Sequence, residues 1–134
     1  MFGLRPLPFL LAVIAFYLTG FVWFGLLFSD LWMKETGFTE SDFEGQSPAW
    51  MAIGPVISFV TVLGIGKVLK WTGTTDLPDA LTKTLFLWLT FGVTAAAYDL
   101  VYDAQHSVPL FLIDASHFLV GWLLATVILI RMKA

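Results

Sequence analysis

In the last apolar stretch of the chain, Asp114 and His117 stand three residues apart. On an α-helix that spacing puts both side chains on one face. A carboxylate and an imidazole within a hydrocarbon-compatible segment are costly, and they are the groups that proton relays and ligand counter-ions use. Asp99, near the end of the preceding apolar stretch, is the natural third member of this candidate site, with Asp103 and His106 at its mouth. Four chemistries compete for the set. The first is hydrogen bonding between helices, with Tyr98 or Tyr102 supplying hydroxyls. The second is a proton-coupled or ligand-gated site. The third is a metal, haem or chlorophyll-type pigment, with His117 as axial ligand and Asp103, His106 and Asp114 as zinc-compatible neighbours. No HExxH or comparable spacing fixes such a geometry, so no metal or cofactor is expected, and a pigment or haem at His117 stands as the alternative. The fourth, an enzyme acting on lipid, lacks a set of nucleophile, base and orienting group, so the chain is expected not to be an enzyme. The absence of Cys removes thiolate chemistry.

These residues need membrane helices to position them. Of 134 residues, 58% are hydrophobic and 13% charged, and the mean hydropathy is +0.85, too apolar for a soluble domain of this length. Four apolar runs, about 7–28, 49–69, 82–102 and 108–130, each approach the roughly 20 residues that cross a hydrocarbon core. The first exceeds a signal-peptide core, and Phe28-Ser29-Asp30-Leu31-Trp32 offers no small-x-small cleavage site, so it is expected to remain as a span. The expectation is one all-α polytopic membrane domain over residues 1–134. Its four transmembrane helices form an antiparallel bundle, the last two joined only by Ala104 to Ser107. No discontinuous helix pair is apparent.

Arg5, Lys67, Lys70, Lys83, Arg131 and Lys133 all fall on one side of such a bundle, and only Lys34 on the other. That asymmetry places both termini in the cytoplasm. The acids run the opposite way: Asp30, Glu35, Glu40, Asp42, Glu44, Asp99, Asp103 and Asp114 lie outside or toward it, with Asp76 and Asp79 inside. No basic cluster interleaved with aromatics occurs, so nucleic acid is not an expected partner.

Small residues mark the faces on which helices approach one another in lipid. They are Gly20 in the first span; Gly54, Ser58, Thr61 and Gly64 in the second; Gly92 and Ala96, continued by Asp99, in the third; and Gly121 and Ala125, below Asp114 and His117, in the fourth. Pro48 suits the start of the second span, and Pro55 a bend within it. Trp32 and Trp50 flank the first outer connection as interfacial anchors, and Trp71 does so on the inner side. Within that connection Ser41 and Glu44 match a capping box, and Thr39 with Asp42 offers an overlapping frame. Both predict a short amphipathic outer helix between the first two spans, with Phe38 and Phe43 turned toward lipid or the bundle. The acids here lack the spacing of a calcium loop. Thr72 to Asp79 reads as a turn-rich inner connection.

Two stretches carry a resemblance. Gly20-Phe21-Val22-Trp23-Phe24-Gly25-Leu26-Leu27-Phe28, then Trp32-Met33-Lys34 and Gly37-Phe38-Thr39-Glu40-Ser41-Asp42, resembles the opening of an uncharacterised bacterial membrane family, domain of unknown function 1761. Leu110 to Gly121 is similar to that family's last helix, with Ser116 where an aromatic usually precedes the histidine. The resemblance implies the membrane fold and a bacterial cytoplasmic (inner) membrane location, and no particular activity. The expected function is that of a small integral membrane protein without catalytic activity, a structural or accessory subunit packed in the bilayer as a homo-oligomer or against other membrane subunits. The alternative is a small proton-coupled transporter or a ligand- or pigment-binding module using Asp99, Asp114 and His117.

Overall fold

Pro6 and Pro8 open the first helix, where a proline gives up only an N–H that has no partner in the helix anyway. The computed structural model describes all residues, Met1–Ala134. Helix α1 spans Pro6–Gly20 and runs on into a π-helical segment, Phe21–Leu27. Helix α2, Ser29–Thr36, and a 3-10 turn, Glu40–Phe43, lead to α3, Ala49–Trp71. Helix α4, Leu77–Leu87, a second π-helical segment, Trp88–Gly92, and α5, Val93–Tyr102, form one continuous span. Helix α6, Val108–Arg131, closes the chain. There are no strands, and the four stretches Pro6–Leu27, Ala49–Trp71, Leu77–Tyr102 and Val108–Arg131 are long and apolar enough to cross a membrane. These features mark a membrane protein.

The third span starts at Leu77 rather than at Thr82, because Asp76 accepts the Asp79 N–H at 3.0 Å as an N-cap and Pro78 sits in the first turn. The outer connection also differs from expectation. Its regular helix is α2, and the segment expected to be helical is one 3-10 turn. The capping box forms in the Thr39–Asp42 frame, with the Thr39 N–H donating to Asp42 Oδ2 at 2.6 Å. Ser41 is engaged by Thr39 instead, at 2.8 Å. Gly45, at φ 78°, turns the chain away before a longer helix can grow. Phe38 and Phe43 both pack on Trp32, with ring centroids 5.9 and 6.0 Å away.

Helix α6 is the hub, touching α1, α2, α3, α4 and α5. The packed core lies in the half of the bundle that carries both chain ends. Phe9, Ala12, Val13 and Phe16 of α1 meet Val62, Ile65 and Leu69 of α3, Ala80 of α4, and Ala125 and Leu129 of α6. Arg5 joins the two chain ends, its guanidinium donating to the Met132 carbonyl at 3.0 Å and its backbone N–H to that of Ala134 at 2.9 Å. Between spans, the buried Thr84 and Thr126 hydroxyls lie 2.7 Å apart. Thr126 donates to the Trp122 carbonyl at 2.8 Å, so Thr84 is the donor to Thr126.

The small residues divide. The Phe16 ring occupies the space that a side chain at Gly121 would fill, and Ala96, Ala125, Gly92 and Ser58 are buried. Gly54 approaches Tyr17, and Gly20 approaches His117. Gly64 is exposed with nothing near it, and Thr61 is half-buried. The buried face of α3 is Ser58, Val62, Ile65, Gly66 and Leu69. Gly64 falls off that face at about 3.6 residues per turn. Gly66, which the stripe reading passes over, is where Leu4 inserts, its Cδ1 2.7 Å from a would-be Cβ. From Ala49 to Ile57 every α3 residue except Gly54 is exposed.

Candidate intramembrane polar site

Both π-helical segments meet α6 at the same place. The Trp23 indole N–H, in the first, donates to Ser116 Oγ at 3.0 Å. The Trp88 indole N–H, in the second, donates to the Ala115 carbonyl at 2.8 Å. Ser116 passes its own proton to the Ile113 carbonyl, at 3.0 Å. A π turn widens the helix and re-aims its side chains, and such turns concentrate at functional sites. Spans one and three therefore clamp α6 over residues 113–116, beside the Asp114–His117 pair. Asp99, Asp114 and His117 take no part in the clamp. Tyr98 and Tyr102 stack on each other at 5.9 Å and are largely exposed.

His117 lies among aromatic rings, stacked on Phe16 at 5.4 Å and edge-on to Phe24 at 5.0 Å. Its Nε2 is buried and has no hydrogen-bond partner. That nitrogen lies 3.2 Å from where a Cβ on Gly20 would stand. Gly20, Phe16 and Phe24 surround the imidazole on this side. The Trp122 indole nitrogen, further along α6, is likewise buried without a partner.

Asp114 lies between two grooves. On one side a narrow cleft runs past Asp99, Asp103 and Ser107 to Asp114, which brings three of the candidate acids together. His106 points away from this cleft. At φ 46° its Nδ1 contacts the Leu100 carbonyl at 2.8 Å, which caps the end of α5. Asp103 accepts the Gln105 N–H at 3.1 Å. Ser107 caps α6 through the Leu110 N–H at 3.1 Å and donates to Glu35 at 2.6 Å. Gln105 donates to the Thr36 carbonyl at 3.3 Å, so α2 is clipped to the connection between α5 and α6. On the other side a wide groove of about 500 Å³ is lined by Phe24, Ser29, Trp32, Met33, Phe43 and Asp114. No group of three or more His, Asp or Glu side chains is arranged to hold a metal ion.

Trp32 thus forms a wall of the groove. Trp50 and Trp71 are 70% and 75% exposed, as interfacial anchors are, and Lys67 stands 5.7 Å over the Trp71 ring. Trp23, Trp88, Ser116 and the groove walls Phe24, Met33 and Phe43 were not among the site residues read from sequence. The available signal was position: Trp23 and Trp88 lie inside apolar spans, away from the interfaces where Trp gathers.

The model of a family described as a protein of unknown function (DUF1761) matches residues 7–130. The chain belongs to this family. The match takes in nearly all of the four spans and every residue of the candidate site. No curated protein and no solved structure matches the chain.

Proposed function

We propose that this protein is a non-catalytic, ligand-binding membrane protein whose site is the groove at Asp114. One observation carries the reading. An aspartate inside a membrane-spanning helix lines an aromatic-walled groove of about 500 Å³, and no protein group hydrogen-bonds its carboxylate. Intramembrane acids are rare because they are expensive, and those without a protein partner mark ligand or ion pathways. A mostly apolar lining with a few convergent polar groups, here Asp114 and Ser29, is the usual form of a small-molecule site. Asp114 and His117 on one face of α6 are also the pair on which a proton-coupled release of the ligand would draw.

The protein is taken to be a four-helix antiparallel bundle of a bacterial inner membrane, and the charge asymmetry supports an orientation with both termini cytoplasmic. The groove then opens in the outer half of the bilayer. Native mass spectrometry of protein extracted in mild detergent tests the site. Wild type should carry a bound mass that Asp114→Asn lacks, and identical spectra would overturn the reading. A single Cys replacing Glu40, in a chain with no other Cys, should react with an impermeant maleimide on intact cells. Reaction only after lysis reverses the orientation.

The first half of α3 favours a second role, packing as a structural or accessory subunit against a copy or another membrane protein. Its exposed apolar residues from Trp50 to Ile57 surround the helix rather than forming one face. A Cys at Ile57 should cross-link copies in membranes if that half is a self-interface, and a uniformly monomeric product argues against self-association.

A further inference from the structure

We infer that the groove at Asp114 takes a lipophilic monovalent cation, an amine or quaternary ammonium or phosphonium ion; this rests on the groove being a ligand site at all. Asp114 is the only ionisable side chain among its six lining residues, and Phe24, Trp32 and Phe43 supply three aromatic walls. Aromatic faces carry negative quadrupole density and attract cations, most strongly where water is excluded. Met33 adds a polarizable contact, and the Ser29 hydroxyl is the only other polar side chain in the lining. A neutral apolar ligand would seal the carboxylate away from water and leave it unpaired, which is strongly unfavourable. An anion would meet Asp114 directly.

The rim points the same way. Between Ser29 and Glu44 the chain carries Asp30, Glu35, Glu40, Asp42 and Glu44 against the single cation Lys34. Asp99 and Asp103 lie in the cleft behind Asp114. An excess of one sign of charge along the segments that contribute to the groove concentrates the opposite sign nearby and raises its rate of arrival. A bare metal ion is not the occupant that this chemistry selects, since the walls are aromatic carbon and no metal-holding cluster is present.

The test uses two ions of nearly one shape and opposite charge, tetraphenylphosphonium and tetraphenylborate, titrated against the full chain in nanodiscs of neutral lipid and read by tryptophan fluorescence and calorimetry. Saturable binding of the phosphonium and none of the borate is expected. Asp114→Asn, nearly isosteric, should weaken phosphonium binding by at least tenfold while eluting as wild type does on size exclusion. Trp32→Ala should weaken it several-fold, and Trp71→Ala at the opposite end should leave it unchanged. Equal binding of both ions, lost in Trp32→Ala but not in Asp114→Asn, overturns the cation class and keeps the groove as a ligand site. No saturable phosphonium binding, with a co-purified mass still specific to wild type, also overturns the class alone. Failure of both measurements overturns the class and the site together.

Discussion

The half of the bundle that holds both chain ends and the half that holds α2 are built in opposite ways. Near the chain ends, Phe9, Ala12, Val62, Ala80 and Ala125 have no exposed surface, the Thr84 and Thr126 hydroxyls satisfy each other, and the Phe16 ring fills the space over Gly121. In the other half, His117 Nε2 is buried without a partner, Asp99 and Asp114 make no side-chain hydrogen bond, both π-helical segments converge, and a groove of about 500 Å³ stays open. Lipid supplies no hydrophobic drive for helices to associate, so close packing and satisfied polar groups must hold a membrane bundle together. The closed half does this except at the Trp122 indole N–H, which is buried there without a partner. The open half keeps one costly unsatisfied group, Asp114, on an open groove, and intramembrane acids of that kind mark function.

The contrast is broken most easily at Gly121. Gly121→Leu drives a side chain into Phe16 and should cost about 1 to 3 kcal/mol, the usual range for overpacking, seen as a lower unfolding midpoint in detergent. Gly64→Leu, on an exposed position, should leave the midpoint in place. An equal loss for both would mean that the Phe16 contact at Gly121 is not what the closed half is packed on. Asp114→Leu should act in the reverse sense, raising the midpoint by roughly 1 to 3 kcal/mol as an unpaired intramembrane carboxylate is removed, while ligand binding disappears. Destabilisation there would make Asp114 a structural pin. Trp88→Phe and Trp23→Phe each delete one indole hydrogen bond to α6 and should cost about 1 kcal/mol. Faster amide exchange confined to residues near Ala115 would show that the clamp is local. Smallest is Thr84→Val, at about 0.6 kcal/mol for a hydrogen bond between membrane helices. A double-mutant cycle with Thr126→Val should recover that coupling.

The limits of reading the chain linearly can be traced to particular residues. Four apolar runs became four helices long and apolar enough to cross a membrane, because run length is a local property of the chain. The helix of the third apolar run begins at Leu77, ahead of the run itself, because Asp76 and Pro78 start it, although Gly73 and Pro78 also read as turn residues. Gly64 and Gly66 are two residues apart and equally small. Which of them accepts a neighbour depends on where Leu4 lies, and no pattern within α3 contains that information. Asp103 lines the cleft with Asp99 and Asp114, whereas His106, three residues on, turns back to the Leu100 carbonyl at the end of α5. The capping frame in the outer connection was decided by Gly45 and by competition for the Ser41 hydroxyl.

Composition and run length determined four apolar helices long enough to cross a membrane, and helical spacing put Asp114 and His117 on one face, since these depend only on residues near one another in the chain. The tertiary structure decided which polar groups find partners. Thr84 and Thr126 are 42 residues apart, and Trp23 and Ser116 are 93 apart. Whether such groups meet is set by the distance and rotation between helices. The same geometry left Asp114 unpaired and opened the groove beside it, so a residue that sequence marks only as expensive becomes, in three dimensions, the floor of a candidate binding site.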